Sequence, residues 1–224
     1  MPDAAENPRR PRAIRSFVRR AGRMTDAQKR ALQNLWPTFG IDFQPAPLDL
    51  DEIFGRRGQR IMEIGFGNGE LLLSTAADNP DKDFIGVEVH EPGVGHCLLG
   101  IQNLKNVRVI CHDAVEVLKH QFPDGSLQAV HLLFPDPWPK KRHHKRRIIQ
   151  PDFVALLGRK ITPGGVLHTA TDWSEYGEHM EATILANNGF QRGGTAAGQR
   201  PQTKFERRGK RLGHEITEGY FQRI

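Results

Sequence analysis

From Arg60 onward the sequence alternates short apolar runs with longer mixed ones, and this alternation restricts the possible folds more than any other feature. RIMEIG, DFIGVEVH, VRVICHD, LQAVHLLFPD and GGVLHTATD predict five strands. GELLLSTAADNP, VGHCLLGIQNLKN, AVEVLKHQF, PDFVALLGRKI and SEYGEHMEATILANNG predict the helices that follow them. Apolar strands separated by helical crossovers give right-handed connections and a parallel sheet covered on both faces. The predicted fold class is therefore α/β, a doubly wound sheet. In such sheets ligands sit beyond the carboxyl ends of the strands, so the residues that end each strand are the ones to inspect.

The chain of 224 residues is long enough for one such domain with extensions. Residues 1–24 are rich in Arg and Pro without a sustained period and predict a basic, flexible arm. Residues 25–58 form a second unit. Thr25 and Gln28 have capping-box spacing, and Leu32, Leu35 and Trp36 share one face of a short helix that Pro37 is expected to close. An irregular stretch, FGIDFQPAPLDLDEIFGRRGQ, leads to the main domain at 59–224. No internal repeat is present.

Apolar content of 38%, with twelve Phe and three Trp, favours a packed globule over disorder. Cys97 and Cys111 have no CxxC spacing, which fits two core thiols in a reducing compartment. No apolar run approaches the roughly 18 residues of a membrane span, and the arginine-rich start lacks the apolar segment of a secretory signal. The expected location is the cytoplasm.

Charge is more informative in its distribution than in its sum. Residues 1–25 carry +5, residues 140–147 carry +6 and residues 191–211 carry +6, whereas the whole chain carries +6, leaving −11 for the rest. A basic footprint on an acidic body suits a polyphosphate partner, because neutralising phosphates releases counterions.

Each predicted strand end carries an acid: Glu63 before GFGNG, then Glu88, Asp113, Asp136 and Asp172. Gly65, Gly67 and Gly69 allow a tight turn and close backbone approach at the start of a helix. A dinucleotide loop would place a glycine where this chain has Glu70, an anion poorly suited beside phosphate. S-adenosylmethionine carries an ammonium, a sulfonium, a ribose diol and an adenine amine, all of which favour acceptors. On that reading Glu88 takes the ribose hydroxyls, Asp113 the adenine amine, and Glu63 the positive end. Trp138 has two readings, a stacking face for a base or packing beneath its loop. His143 and His144 have no partner at zinc-ligand spacing, and their cationic neighbours disfavour a metal. Two rival classes share the fold: an RNA-binding module without transfer and a nicotinamide-dependent oxidoreductase.

The blocks RSFVRRAGRMTDAQKRAL, EIGFGNGE, GVEVH, LLFPDPWPKKRHHKRRI, HTATDW and TKFERRGKRLGH resemble the signatures of the bacterial tRNA (guanine-N7)-methyltransferase family, over nearly the whole chain. FPDPWPKKRHHKRR and TKFERRG are the specific ones, whereas the glycine loop is shared by most class I methyltransferases. The resemblance implies a class I methyltransferase fold of about seven strands with the last antiparallel. It also implies S-adenosylmethionine as cofactor, and tRNA as substrate, methylated at N7 of guanosine 46. It makes Glu63, Glu88, Asp113 and Asp136 cofactor or catalytic acids, with Asp136 the catalytic candidate. Lys140, Asp172, Thr203, Lys204, Phe205 and Glu206 become substrate contacts. Neither metal nor membrane is expected as a partner.

Overall fold

The structure, a computed structural model, describes residues 15–17, 22–195, 204–211 and 213–224. Five parallel strands form the body: β1 (Arg60–Ile64), β2 (Asp83–Val87), β3 (Val107–Ile110), β4 (Leu127–Leu133) and β5 (Ile161–Thr171). Two more, β6 (Phe190–Arg192) and β7 (Thr217–Arg223), complete a seven-stranded sheet of order β3-β2-β1-β4-β5-β7-β6. β7 runs antiparallel to both its neighbours. The doubly wound class and the antiparallel last strand expected from the sequence are both present.

The sheet alternates its apolar residues between two helical layers, as the period of two requires. Ile61, Phe84, Val107 and Ala129 face α1 (Asp26–Phe39), α3 (Glu70–Asp78) and α4 (Glu91–Ile101). Met62, Ile85, Val130 and Leu167 face α5 (Ala114–His120), α6 (Pro151–Lys160) and α7 (Ser174–Leu185). β1 and β2 are buried throughout, so their charged residues, Arg60, Glu63 and Asp83, lie in the interior with the apolar ones.

Three expectations need correction. Pro37 does not close α1, which continues to Phe39. The N–H that proline lacks would have bonded within the last turn, and Gly40 still donates to the Trp36 carbonyl at 2.7 Å. The stretch after α1 is not wholly irregular. It contains α2 (Leu50–Phe54), capped by the Asp49 carboxylate at the Glu52 N–H and ended by Gly55 in the left-handed region. Apolar pattern locates no element after Gly189, where the structure has β6, β7 and α8 (Lys204–Arg211) and so completes the seven strands that the resemblance implies. β6 is only three residues long and two of them are exposed, so it leaves little periodic signal.

At the amino end of the sheet Asp83, fully buried, accepts from Arg56 Nε at 2.9 Å and Nη2 at 2.6 Å, with Arg60 Nε at 3.4 Å. Removing one partner of a buried ion pair leaves uncompensated charge in the interior. Asp83→Ala is expected to cost about 3 kcal/mol in urea unfolding. A loss below about 1 kcal/mol would show that Asp51 alone suffices for Arg60.

Candidate functional site

The strand order lays the predicted acids along one edge of the sheet, in the sequence Asp113, Glu88, Glu63, Asp136, Asp172. Four stand just past their strands. Glu63 differs: it is the penultimate residue of β1, buried on the face shared with α3 and α4. Burial, with the Glu88 carboxylate adding to it, pushes its pKa from 4.5 up to about 8.

The glycine loop above it is built by close approach. Gly65, Gly67 and Gly69 all have positive φ, and Gly69 caps α3 at φ 82°. A methyl on Gly69 would lie 2.5 Å from Cys97 Sγ, so glycine is required there on two counts. Cys97 is a core thiol as expected, raised to about 12 by burial and then by Glu63; Cys111 is only half-buried. Glu88 ties this loop to β2. Its Oε2 accepts from the Gly67 N–H at 2.9 Å, and its Oε1 from the N–H groups of Val89 and His90 at 2.7 and 3.0 Å. Asp113 caps α5, accepting from the Val115 N–H at 2.9 Å.

The loop after β4 is strained. Phe134 (φ 53°) and Trp138 (φ 45°) are the non-glycine residues with positive φ among those described, and they bracket the exposed Asp136. Such conformations persist only where surroundings over-determine them. Four contacts do so. Phe134 N–H donates to the Ala170 carbonyl at 2.7 Å, tying the loop to β5. Arg147 Nε donates to the Pro137 carbonyl at 2.9 Å. Trp138 Nε1 donates to the Ser16 carbonyl at 3.0 Å, and the Arg146 guanidinium lies 4.0 Å from the centre of the Trp138 ring.

Arg147 is buried and also forms a two-pronged pair with Glu175, at 3.0 and 2.8 Å, while lying 4.8 Å from the Tyr176 ring centre. The Arg147 hydrogen bonds are the main reason the Glu175 carboxyl falls to about 2; the Trp173 side chain and His144 contribute less. Neither Arg147 nor Glu175 was singled out from the sequence. Arg147 sits in the run KKRHHKRR, where solvated and structural cations look alike.

Lys140 is exposed and precedes a 3₁₀ turn, Lys141–Arg146, which presents the basic run. Asp172 follows β5, with His214 Nδ1 at 3.4 Å from its Oδ2. A methyl on Gly209 of α8 would fall 3.0 Å from the Asp172 Cβ, so α8 lies directly against this strand end. Glu206 of α8 is buried, and Arg207 reaches back to Glu70 at 3.0 Å. Lys204 and Phe205 open α8. Thr203 and most of the predicted arm lie outside the described residues. Among the described residues no group of three His, Cys, Asp or Glu could hold a metal ion, and no helix is long and apolar enough to cross a membrane. A cleft of about 530 Å³ lies near the opposite end of β1, lined by Pro47, Leu48, Asp49, Arg60, Pro123 and Ser126. It contains none of the strand-end acids, so its size says less than their chemistry.

Residues 57–219 match the model of a family described as "Putative methyltransferase". A protein of Alkalilimnicola ehrlichii named tRNA (guanine-N(7)-)-methyltransferase is 55% identical over 221 residues, 95% of this chain and 93% of the relative. One of Nitrosococcus oceani with the same name is 54% identical over 217 residues, 95% and 92%. The chain belongs to the tRNA (guanine-N7)-methyltransferase family.

Solved structures confirm the class of fold for this member of the family. The 16S rRNA methyltransferase KamB aligns at TM-score 0.57 with 11% identity, over 79% of this chain and 92% of that one. The aminoglycoside resistance methyltransferase NpmB1 aligns at 0.55 with 16% identity, over 79% and 92%. As a member of this methyltransferase family the chain uses S-adenosylmethionine as its cofactor. The residues present suit it: a buried carboxyl beneath a glycine loop, a second carboxylate fixed beside it, and no basic side chain within the loop to receive phosphate.

Glu63 gives a direct test. A carboxyl with a raised folded pKa contributes stability below 4.5 that is lost as pH rises through about 8. Glu63→Gln is therefore expected to raise the thermal midpoint at pH 9 while changing it little at pH 5. Equal shifts at both pH values would show that the buried carboxyl carries no ionisation cost.

Proposed function

We propose that this chain transfers the methyl group of S-adenosylmethionine to N7 of guanosine 46 in the variable loop of tRNA. The observation that carries the reading is the 55% identity over 95% of the chain to a relative named for guanine-N7 transfer to tRNA. Geometry and charge support it. The acid edge suits a cationic donor and the amino groups of guanine, and the basic 3₁₀ turn beside it suits phosphate. Such a substrate places the enzyme in the cytoplasm.

Guanine N7 owns an in-plane lone pair, so no base has to remove a proton before attack. In-line positioning against the sulfonium carbon is then the main requirement. The N7–C bond forms as the S–C bond breaks; the sulfur keeps the bonding pair, and the positive charge passes to the purine. Glu63 would face the donor's cationic end, which favours its ionised form, and Glu88, pre-oriented by three backbone N–H groups, would meet the ribose diol. Asp113 accepts from the adenine amine. Asp136 accepts from the Watson–Crick edge of guanine or stabilises the charge developing on the ring. Lys140 and the cations after it hold phosphate, while Asp172 and the Thr203–Glu206 stretch contact the substrate. The segment 59–224 acts as the transfer domain, with 25–58 as its helical preface and 1–24 as a basic arm.

Labelled methyl transfer to two unmodified tRNA transcripts tests the assignment, one with guanosine at position 46 and one with adenosine there. Label is expected in the first alone, released by chemistry that cleaves at N7-methylguanosine. Label in neither, with normal cofactor binding, would call for a different acceptor. Asp136→Ala is expected to lower transfer at least about 100-fold while S-adenosylhomocysteine affinity stays within a few-fold. Equal loss of both would move Asp136 into the cofactor pocket.

A further inference from the structure

Two tryptophans stand at the carboxyl edge of the sheet beside the guanine site, and they differ in what covers them. Trp138 is engaged on its face by Arg146 at 4.0 Å, at its edge by His143 with ring centres 5.9 Å apart, and at its N–H by the Ser16 carbonyl. Of its two readings from the sequence, packing within the loop is the one these contacts support. Trp173 follows Asp172 directly and is 36% exposed, the one large aromatic side chain among the exposed apolar residues described. Its position is fixed from below. Its N–H donates to Thr171 Oγ1 at 3.2 Å, and its carbonyl accepts from the N–H groups of Tyr176 and Gly177 at 3.0 and 2.9 Å, anchoring it at the start of α7. Two residues on, Glu175 grips Arg147 and, through Arg147, the Pro137 carbonyl next to Asp136, so the turn that carries Trp173 is joined to the loop that presents Asp136.

A partly exposed aromatic side chain on a fixed backbone, beside acids suited to a guanine, is what a splayed single-stranded nucleotide stacks upon. We propose that Trp173 is a stacking platform for a nucleobase of the RNA substrate, at the rim of the site formed by Asp136 and Asp172. This rests on the reading that the substrate is tRNA, and it adds a contact made through a ring face, with no dependence on base identity.

The test is the affinity of an end-labelled, unmodified tRNA transcript for the full chain with S-adenosylhomocysteine bound, read by fluorescence anisotropy, so that it does not depend on turnover. Trp173→Leu, which keeps bulk without a π face, is expected to weaken binding about tenfold. Trp173→Phe is expected to remain within about threefold. Thermal midpoint and S-adenosylhomocysteine affinity are measured alongside and are expected to shift little, since Leu and Phe both fill the covered part of the Trp173 position. Leu binding as well as wild type would overturn the proposal, and so would Leu and Phe being equally weakened, which would assign the indole a packing or hydrogen-bonding role. If the wild-type protein binds tRNA without methylating it, the functional reading falls while the platform is still judged on binding. If it binds no tRNA, both fall.

Discussion

The central strand sets the terms for everything around it. β1 lies between β2 and β4 and is buried on both faces, so its five residues have no solvent side on which to place a polar group. Two of the five are nevertheless charged types, Arg60, which pairs with Asp51 and Asp83, and Glu63, for which no ion pair is seen among the described residues. A carboxyl held there pays for its ionisation in desolvation, and its pKa near 8 reflects that cost. The loop that follows is shaped by the same crowding. Gly69 must clear Cys97, and a side chain on Gly93 would strike the Gly67 carbonyl. At Gly65 nothing lies within 4 Å of where a side chain would begin, so the space open to a ligand is there, and the buried acid beneath gives that ligand a reason to be cationic.

The loop after β4 solves a different problem, that of presenting a carboxylate to solvent without letting it wander. Two residues in the left-handed region cost of order 1–3 kcal/mol each, and their conformations are held by a buried guanidinium, a ring stack and two backbone contacts. Arg147 is well suited to this role because its planar fork can bond a carboxylate on one side while Nε bonds the Pro137 carbonyl. A lysine would have neither the fork nor the stack on Tyr176. Rigidity at Asp136 is thus maintained from α7, a helix distant in sequence.

What the sequence disclosed, and what it did not, follows from how local each signal is. Five strands, their helices and the acids ending them were legible because apolar periodicity and strand-end position are written within ten residues. Pro37 misled because proline is a poor stop signal when the missing bond belongs to a helix's last turn. β6 and β7 were implied in number by the resemblance but could not be placed from local pattern, because their order depends on β7 pairing with β5 from positions far along the chain. The roles of Arg147, Glu175 and Trp173 were hidden for a related reason. A basic run shows no difference between Arg146, which stacks on Trp138, and Arg147, which is buried against Tyr176. Only the fold brings Glu175 across to choose one of them.

The charge arrangement then has a simple logic in the proposed reaction. The donor enters with a positive sulfonium and leaves neutral at sulfur, while guanine enters neutral and leaves as a cation. One positive charge therefore moves by the length of a forming bond. Along the sheet edge it moves from the neighbourhood of Glu63 toward that of Asp136, which neighbouring strands hold side by side. Asp136 offers a carboxylate at the guanine end, and a sulfonium beside Glu63 favours ionisation of its buried carboxyl, so the charge has an acidic partner before and after transfer. The cations that attract the RNA are kept outside this row, on the 3₁₀ turn, where they meet phosphate without opposing the charge in transit. Separating the two signs lets one protein bind a polyanion and stabilise a cation within the same site.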